Sequence, residues 1–300
     1  MPLQINQYND LSAHVWHGDA LRFLKALEPE SVDLIMTSPP YCIGKAYDIS
    51  RSSAGFREEV KRVMPEFLRV LKPGGNLCWQ VGNHVGGSSI LPLDAVIIAL
   101  LEDEKDLLLR NRIIWTFGHG THATKRFSGR HETIVWYSKG QHSYFNLDAV
   151  RVPQKYPGKR HYKGPSVGQL SGNPLGKNPG DVWDIPNVKA KHIEKTSHPC
   201  QFPIALANRL ILALSPASGV VVDPYLGSGT TAVASLLCGR SFRGSEKEAE
   251  YIDICQTRIK ELISGNPKVR EDKPVRKPQE GEAVSIMPSH FGNPNWVGMA

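Results

Sequence analysis

Short apolar runs alternate with stretches of helical periodicity over the first half of the chain. Residues 32–36 form an apolar run interrupted only by Asp33, which is typical of a strand buried on both faces of a parallel sheet. Pro65 predicts a kink in the helix that follows, and Pro73-Gly74-Gly75 predicts its end. The pattern predicts strands at 13–17, 32–36, 77–81, 112–117 and 133–137, and helices at 20–27, 56–71 and 91–109.

A second block of regular pattern occupies the last third of the chain. It predicts a helix at 202–214, a strand at 220–222, a helix that ends at 237, a strand at 241–244 and a helix at 251–263. Strands that alternate with helices in both blocks predict an α/β, doubly wound domain. From residue 265 onward, Pro and mixed charge predict a largely disordered tail.

Between the two blocks, residues 151–195 contain twelve Gly or Pro residues and little apolar periodicity. The chain has 36 Lys and Arg against 29 Asp and Glu, a net charge of +7. Nine basic and three acidic residues lie in this one segment, so it carries +6 of that charge. A basic segment of this kind favours a polyanionic partner.

Composition narrows the cellular setting. No apolar stretch is long enough for a membrane helix, and the first ten residues lack the pattern of a signal peptide, so we expect a cytoplasmic protein with no membrane partner. The five cysteines are widely spaced and form no C-x-x-C pair. This pattern predicts free thiols in a reducing compartment.

The strand predicted at 220–222 runs into Asp-Pro-Tyr-Leu-Gly-Ser-Gly-Thr-Thr at 223–231. A strand, a Gly-x-Gly turn and a helix together present free backbone N–H groups and allow a ligand to approach closely. The motif lacks the Lys of a nucleotide P-loop and the third Gly of a dinucleotide site, and a Gly-x-Gly turn by itself is compatible with a purely structural role. Glu246 ends the next strand, where an acid can accept hydrogen bonds from both hydroxyls of a ribose.

The strand predicted at 32–36 runs into Thr-Ser-Pro-Pro-Tyr at 37–41. The prolines leave the carbonyls of Ser38 and Pro39 free to point out of the strand end. Tyr41 offers a flat face on which a planar base could stack. A rigid turn is the structural alternative, but the position at a strand end in an α/β domain favours a function.

Together and in this order, the motifs at 37–41 and 223–231 resemble the permuted β group of DNA amino-methyltransferases, which use S-adenosylmethionine. Shorter matches support the resemblance between Gly18 and Ile263: Gly18-Asp19, Arg69 to Gly75, Arg130-His131-Glu132, His198 to Pro203 and Gly244 to Glu246.

The resemblance implies a Rossmann-like, mostly parallel sheet with one antiparallel strand and a small inserted target-recognition region. Within that fold it implies a catalytic half at 10–150, the basic target-recognition insertion at 151–196, an S-adenosylmethionine-binding half at 197–264 and a tail at 265–300.

The resemblance also implies the site residues. Asp19 is expected near the adenine ring of the cofactor and Glu246 on its ribose. The full set expected to hold S-adenosylmethionine is Asp19, His198, Gln201, Asp223, Pro224, Tyr225, Gly227, Ser228, Gly229, Thr230, Thr231 and Glu246. The expected catalytic residues are Ser38, Pro39, Pro40 and Tyr41.

The expected partner is double-stranded DNA. A base inside a duplex cannot reach such a crevice, so the target is expected to be flipped out, with Tyr41 stacking on it. Basic side chains would neutralise phosphates. The residues expected to bind DNA are Arg130, in a loop near the target base or the DNA backbone, and Lys155, Lys159, Arg160, Lys163 and Lys177.

Ser38 favours one target base. In the resembled family, Asp or Asn precedes Pro-Pro-Tyr in most adenine enzymes, and Ser does so in most enzymes that methylate the N4 amino group of cytosine. N6-adenine on the same scaffold stays an alternative, as do an RNA or protein substrate and a catalytically silent DNA-binding module. A cognate restriction endonuclease in the cell, and a monomer or a homodimer, are compatible with the sequence. Phe202 stands where the family often has Lys, near the methionine end of the cofactor.

Two other patterns resemble reactive sites. Pro199-Cys200-Gln201 is similar to the nucleophilic Pro-Cys of ring-carbon cytosine methyltransferases, but it precedes a helix and does not occupy the strand end where that nucleophile lies; Cys42 has no evident base. His119, His122 and His131 with Glu132 lie across a Gly-rich loop without a cysteine partner, which favours ordinary histidines over metal ligands. The sequence therefore predicts no metal site.

Overall fold

Nine strands form one sheet in the computed structural model, which describes residues 3–41, 53–86, 89–118, 120 and 122–271. They are β1 (Leu3–Tyr8), β2 (Leu11–His17), β3 (Val32–Thr37), β4 (Leu71–Val81), β7 (Leu107–Thr116), β8 (His131–Lys139), β9 (Val182–Asp184), β10 (Val220–Asp223) and β11 (Ser241–Glu246). The strands β5 (Asn83–Gly86) and β6 (Ser89–Pro92) pair with each other in a separate hairpin. The helices are α1 (Ala20–Lys25), α2 (Ser53–Val70), α3 (Leu93–Leu100), α4 (Ile204–Leu214), α5 (Thr230–Leu237) and α6 (Ala249–Ile263).

The strand order is β1-β2-β11-β10-β3-β4-β8-β7-β9. Adjacent strands are parallel from β2 through β11, β10 and β3 to β4. Strand β8 is antiparallel to both β4 and β7, and β1 is antiparallel to β2. The mostly parallel α/β sheet is confirmed, with two antiparallel strands in place of the single one expected. The second is β1, an edge strand in which Ile5 is 53% exposed, so it carries little of the apolar pattern on which the prediction rests.

Two connections leave the middle of the sheet in opposite directions. The chain passes from β3 through α2 to β4 on one side, and from β10 through α5 to β11 on the other. Strands β3 and β10 lie side by side and parallel, with Val221 opposite Leu34 and Val222 opposite Ile35. Their carboxyl ends therefore meet at a topological switch point, where doubly wound sheets bind ligands.

Helix α2 covers this part of the sheet. Its apolar side chains Phe56, Val60, Val63 and Phe67 recur at helical spacing and are each at most 1% exposed. Phe67 packs on Trp79 of β4 with ring centroids 5.4 Å apart. Burial of such aromatic and aliphatic side chains fixes α2, and with it the strand ends that α2 connects.

The structure corrects two predicted element boundaries. The helix predicted at 91–109 ends at Leu100, and Leu107 already begins β7, because residues 107–116 pair with β8. Pro73-Gly74-Gly75 does not end α2, which stops at Val70. The tripeptide lies inside β4 where the pairing with β3 shifts register, and Gly74 has φ +78° there, with His142 O only 2.5 Å from the position of an added Cβ.

The described residues divide into two compact units, one within 3–145 and 181–270 and the other at 146–180. Residues 181–196 of the insertion expected at 151–196 belong to the first unit, where β9 pairs with β7 and Trp183 and Ile185 are buried. The second unit contains a bridge between Val152 and Lys177 and another between Arg160 and Leu170. Most of the tail expected at 265–300 lies outside the described residues.

Candidate active site

An open cleft lies at the carboxyl ends of β3 and β10. The two motifs of the sequence, 37–41 and 223–231, both contribute to its wall. The lining residues are Gly18, Asp19, Ala20, Ser38, Pro39, Pro40, Tyr41, Glu59, Arg62, His198, Cys200, Gln201, Phe202, Pro224, Tyr225, Leu226, Gly227, Ser228, Thr230, Glu246, Lys247, Glu248 and Tyr251.

The four predicted catalytic residues, 38–41, line this cleft directly after β3. The Tyr41 hydroxyl donates a hydrogen bond to Gln80 Oε1 at 2.9 Å and lies 3.2 Å from Ser38 Oγ. Burial, together with the nearby Glu132 carboxylate, raises the pKa of Tyr41 well above its ordinary value. The phenol is therefore a neutral group held in place at its hydroxyl, an anchor that the sequence did not indicate.

Gln80 and Glu132 are functional candidates that the sequence analysis missed as a pair. Gln80 lies in β4 and is 3% exposed, and its Nε2 donates to Glu132 Oε2. Burial raises the pKa of Glu132 to about 7, although the bond from Gln80 opposes that rise. A lone glutamine in the apolar run of β4 was the available signal. His131 and Glu132 are the first residues of strand β8, which corrects the expected loop at 130–132.

Asp223 is buried behind the cleft wall and joins three elements. One carboxylate oxygen accepts bonds from Thr37 Oγ1 at 2.8 Å and from the Tyr225 backbone N–H at 3.1 Å, and the other accepts from Thr231 Oγ1 at 2.7 Å. Burial raises the pKa of this carboxyl to about 6 despite these bonds. Asp223 thus fixes the end of β3 against the start of α5, and it does not itself line the cleft.

The glycines of the second motif have backbone conformations that other residues rarely adopt. Gly227 has φ +54° and Gly229 has φ +79°. A Cβ on Gly229 would lie 2.6 Å from Cys255 Sγ, and one on Gly227 would lie 3.0 Å from His198 Nε2. Both the turn and the close packing on either side of it therefore require glycine.

Buried Arg258 of α6 supports the same loop from below. Its Nη1 donates to the Ser228 carbonyl at 2.8 Å and to Thr230 Oγ1 at 3.0 Å. The loop between the glycines is thus held at both its backbone and its side chains, which preserves the shape of the cleft wall.

Glu246 ends β11 at the rim of the cleft, and backbone N–H groups fix its carboxylate. One oxygen accepts from Gly227 N at 2.8 Å, and the other accepts from Lys247 N at 2.8 Å and Glu248 N at 2.9 Å. Burial raises the pKa of Glu246 in spite of these three bonds. The side chain is rigid and retains acceptor capacity toward a ligand.

Asp19 caps the amino terminus of α1 at another edge of the cleft. Its carboxylate accepts from Leu21 N at 3.0 Å and Arg22 N at 3.2 Å, and both oxygens contact the Arg62 guanidinium at 3.2 Å. Partial burial opposes ionisation, but the bonds from Arg62 and the two N–H groups outweigh it and hold the pKa of Asp19 below its ordinary value. Asp19 is thus an anionic side chain of fixed orientation.

The segment before α4 contributes His198, Gln201 and Phe202 to the cleft. Burial lowers the pKa of His198 to about 4, so its ring is neutral, and it packs edge-on against Tyr251 with centroids 4.3 Å apart. Gln201 accepts from Thr196 Oγ1 at 3.0 Å and donates to its own segment, which holds the loop closed. Phe202 places an apolar ring at the position where the resembled family often has lysine.

The structure therefore separates the cofactor candidates into two groups. Those that line the cleft are Asp19, His198, Gln201, Pro224, Tyr225, Gly227, Ser228, Thr230 and Glu246. Asp223, Gly229 and Thr231 lie behind its wall and shape it.

The DNA-binding candidates divide between the two units. Arg130 belongs to the first unit, and Lys155, Lys159, Arg160, Lys163 and Lys177 are exposed on the second. Lys155 Nζ lies 5.5 Å from the Tyr156 ring centroid, and Lys163 Nζ lies 5.4 Å from that of Tyr162. Those two rings are 63% and 78% exposed. Lysine cations and exposed aromatic rings thus lie side by side on the second unit.

The structure describes most of the cysteine and histidine candidates of the sequence. Cys78, Cys200, Cys238 and Cys255 are free thiols, whereas Cys42 and His119 lie outside the described residues. Over the described ranges, no group of three His, Cys, Asp or Glu side chains could hold a metal ion. None of the described helices is long and apolar enough to cross a membrane.

Residues 32–257 match the profile of a protein family described as DNA methylase. The chain belongs to this DNA methylase family. Among its relatives, the Type II methyltransferase M.BglII of Bacillus subtilis is 42% identical over 264 residues, covering 88% of this chain and 72% of that one. The DNA adenine methyltransferase YhdJ of Escherichia coli (strain K12) is 33% identical and covers 88% of each chain.

Solved structures of methylases share the fold. PvuII DNA methyltransferase (cytosine-N4-specific) matches with a TM-score of 0.65 at 19% identity, covering 84% of this chain and 91% of that one. A putative DNA modification methylase from Thermus thermophilus, complexed with S-adenosyl-L-methionine, matches with a TM-score of 0.60 at 27% identity, covering 84% and 94%. The α/β sheet described above is thus a methyltransferase fold.

Proposed function

We propose that this DNA methylase transfers a methyl group from S-adenosylmethionine to the N4 amino group of cytosine in double-stranded DNA. The observation that carries the proposal is the position of Ser38. Its hydroxyl lies on the cleft at the end of β3, next to the glycine loop that follows β10.

The cleft suits S-adenosylmethionine. Glu246 and Asp19 are fixed carboxylates at two edges of it, suited to the ribose hydroxyls and the adenine amino group, and the turn at Gly227 lets a ligand approach the backbone. The complex of the Thermus protein with this cofactor supports the assignment. When bound, S-adenosylmethionine supplies an electrophilic methyl group on a sulfonium.

The residues of the chain then have to activate a weakly nucleophilic amino nitrogen. Its lone pair is delocalised into the ring, and acceptors that hold its two hydrogens favour a pyramidal nitrogen and offset the charge that develops on it. Ser38 Oγ and the Pro39 carbonyl are those acceptors. The proton that leaves the methylated amino group passes to water.

Access to that nitrogen requires base flipping, because the cleft cannot admit a paired base. Tyr41, fixed at its hydroxyl, supplies the face on which the flipped base stacks. The exposed lysines and tyrosines of the second unit contact the DNA backbone. A restriction endonuclease of the same sequence specificity is the expected companion in the cell, supported by relatives named Type II methyltransferases.

N6-adenine is the second candidate target. The 33% identity to a protein named as a DNA adenine methyltransferase favours it, since that relative covers the same 88% of this chain. The cleft and its chemistry would be shared, because adenine also presents an exocyclic amino group. The methylated nucleoside distinguishes the two.

Two substitutions test the proposal by separate readouts. Ser38→Ala should lower methyl transfer from tritiated S-adenosylmethionine to unmethylated DNA by roughly a hundredfold, with unchanged calorimetric affinity for the cofactor, because only the acceptor is removed. Glu246→Ala should weaken cofactor binding. Wild-type rates in Ser38→Ala, or unchanged affinity in Glu246→Ala, would contradict the respective role.

A further inference from the structure

Four polar side chains connect the interior of the sheet to the cleft. Glu132 of β8 accepts from Gln80 Nε2 of the neighbouring strand β4, and Gln80 Oε1 accepts from the Tyr41 hydroxyl at 2.9 Å. The Tyr41 oxygen lies 3.2 Å from Ser38 Oγ. We call these four side chains the relay. The relay is compact: the Cβ position of Gly82 is 3.3 Å from Glu132 Oε1 and 3.4 Å from the Tyr41 ring.

The direction of every bond in the relay follows from its inner end. Above pH 7, where Glu132 is mostly ionised, its carboxylate only accepts hydrogen bonds and holds the Gln80 amide with its Nε2 inward and its Oε1 toward Tyr41. The Tyr41 hydroxyl has one hydrogen and gives it to Gln80. The bond between Ser38 and Tyr41 must therefore be donated by Ser38.

Ser38 consequently has no hydrogen left to present to the cleft. Its oxygen faces the cleft with lone pairs alone, which is the polarity that an amino group with two N–H donors requires. We propose that Glu132 is a positioning residue that, through Gln80 and Tyr41, keeps the Ser38 hydroxyl an acceptor toward the amino group of the target base. This inference rests on the proposed function and adds Gln80 and Glu132 to its machinery.

Removal of the Glu132 carboxylate would allow the hydrogen bonds of the relay to reverse direction. A neutral group at position 132 that can donate allows the Gln80 amide to turn over and to donate to the Tyr41 oxygen. Tyr41 would then donate to Ser38, and Ser38 would present a hydrogen to the amino group, which repels it.

The energetics of Glu132 point to function and away from structure. Burial raises the pKa of Glu132 to about 7, which means that the folded protein destabilises the ionised form. A glutamine has the same shape without that cost. A buried group whose charge costs stability beside a cleft is typical of residues retained for their chemistry.

The test exchanges the two side chains at the inner end of the relay, Gln80 and Glu132, in two steps. Glu132→Gln should slow single-turnover methylation of DNA by at least about tenfold, with unchanged affinity for S-adenosylmethionine, because only polarity at Ser38 changes. Adding Gln80→Glu should restore most of the rate, since a carboxylate at position 80 accepts from Tyr41 and the amide introduced at position 132 donates to that carboxylate. Asp94→Asn is the matched control, a buried carboxylate paired with Arg112 and remote from the relay in hydrogen bonding, and it should keep the wild-type rate.

A pH profile accompanies these rates. Because the relay needs the ionised form of Glu132, and burial raises the pKa of Glu132 to about 7, the single-turnover rate of wild type should rise with pH through 7. That rise should be lost in Glu132→Gln. If Glu132→Gln does not fold, the doubly substituted protein decides the question. A methylation rate near that of wild type supports the inference, and a rate as low as that of Tyr41→Phe contradicts it.

The inference is overturned if Glu132→Gln methylates DNA like wild type, or if the second substitution slows the enzyme further, as a merely structural role predicts. A wild-type rate that does not rise through pH 7 also overturns it. Failure of the proposed function looks different, because wild-type protein would then yield no N4-methylcytosine at all.

Discussion

Glu132 shows how one residue can link the stability of this protein to pH. Its pKa is about 7 in the fold and 4.5 ordinarily, so between these values the folded state binds more protons than the unfolded state. Stability must then fall as pH rises through this window: the cost is absent below the ordinary value and complete above pH 7.

Glu132→Gln removes that cost. Its free energy of unfolding should exceed that of wild type by about 3 kcal/mol at pH 8, and the difference should vanish near pH 4.5. Thermal or denaturant unfolding at the two pH values measures it. Equal differences at both would show that Glu132 is not the titrating group.

The sequence could predict residues at the ends of strands, but it could not predict contacts between distant strands. The positions of Ser38 and Glu246 were predictable because each lies at the carboxyl end of a strand that the sequence predicts. The bond between Gln80 and Glu132 was not, because it depends on the antiparallel pairing of β4 with β8, and the two residues are separated by 52 positions. Asp223 was predicted as a cofactor ligand, yet its place behind the wall depends on bonds to Thr37 and Thr231 that only the folded sheet brings together.

At the scale of elements, α5 and α6 pack so closely at one point that only glycine fits. Gly229→Ala would combine a positive φ with a Cβ 2.6 Å from Cys255 Sγ. Gly239→Ala is the matched control, since Gly239 has φ +74° but nothing within 4 Å of the added atom.

The control should lower the free energy of unfolding by about 1 kcal/mol from backbone strain alone, whereas Gly229→Ala should lower it by about 3 kcal/mol or more and bind S-adenosylmethionine less tightly. Chemical denaturation and calorimetry measure the two effects. Equal decreases in stability would mean that the packing of α5 on α6 relaxes without cost.

The elements themselves were largely predictable, since strands such as β3 and helices such as α2 carry strong periodicity. The predicted ends of elements were wrong where strand pairing determines them. The apolar residues 107–109 are compatible with a helix, and only their register with β8 makes them a strand.

At the scale of the whole molecule, positive charge is concentrated in one compact unit. Replacing Lys155, Lys159 and Lys163 together by Gln should weaken DNA binding and reduce the slope of log affinity against log salt by up to about 0.9 for each phosphate that is no longer neutralised. Affinity for S-adenosylmethionine should not change, because the cleft belongs to the other unit.

Lys61→Gln serves as the control for the loss of an exposed lysine outside the second unit. Lys61 is an exposed lysine of the first unit that pairs with Glu58 at 3.4 Å. Its replacement should leave the salt slope unchanged. An unaltered slope in the triple variant would remove the second unit from the DNA interface.

The most direct test of the central claim is the identity of the methylated nucleoside. Wild-type protein is incubated with deuteromethyl S-adenosylmethionine and unmethylated genomic DNA, the DNA is digested to nucleosides, and these are resolved by mass spectrometry, with Ser38→Ala in parallel. The account predicts deuterated N4-methylcytosine from wild type and little from the variant. Deuterated N6-methyladenine would contradict the assignment of the base, and no labelled nucleoside at all would contradict the proposed activity.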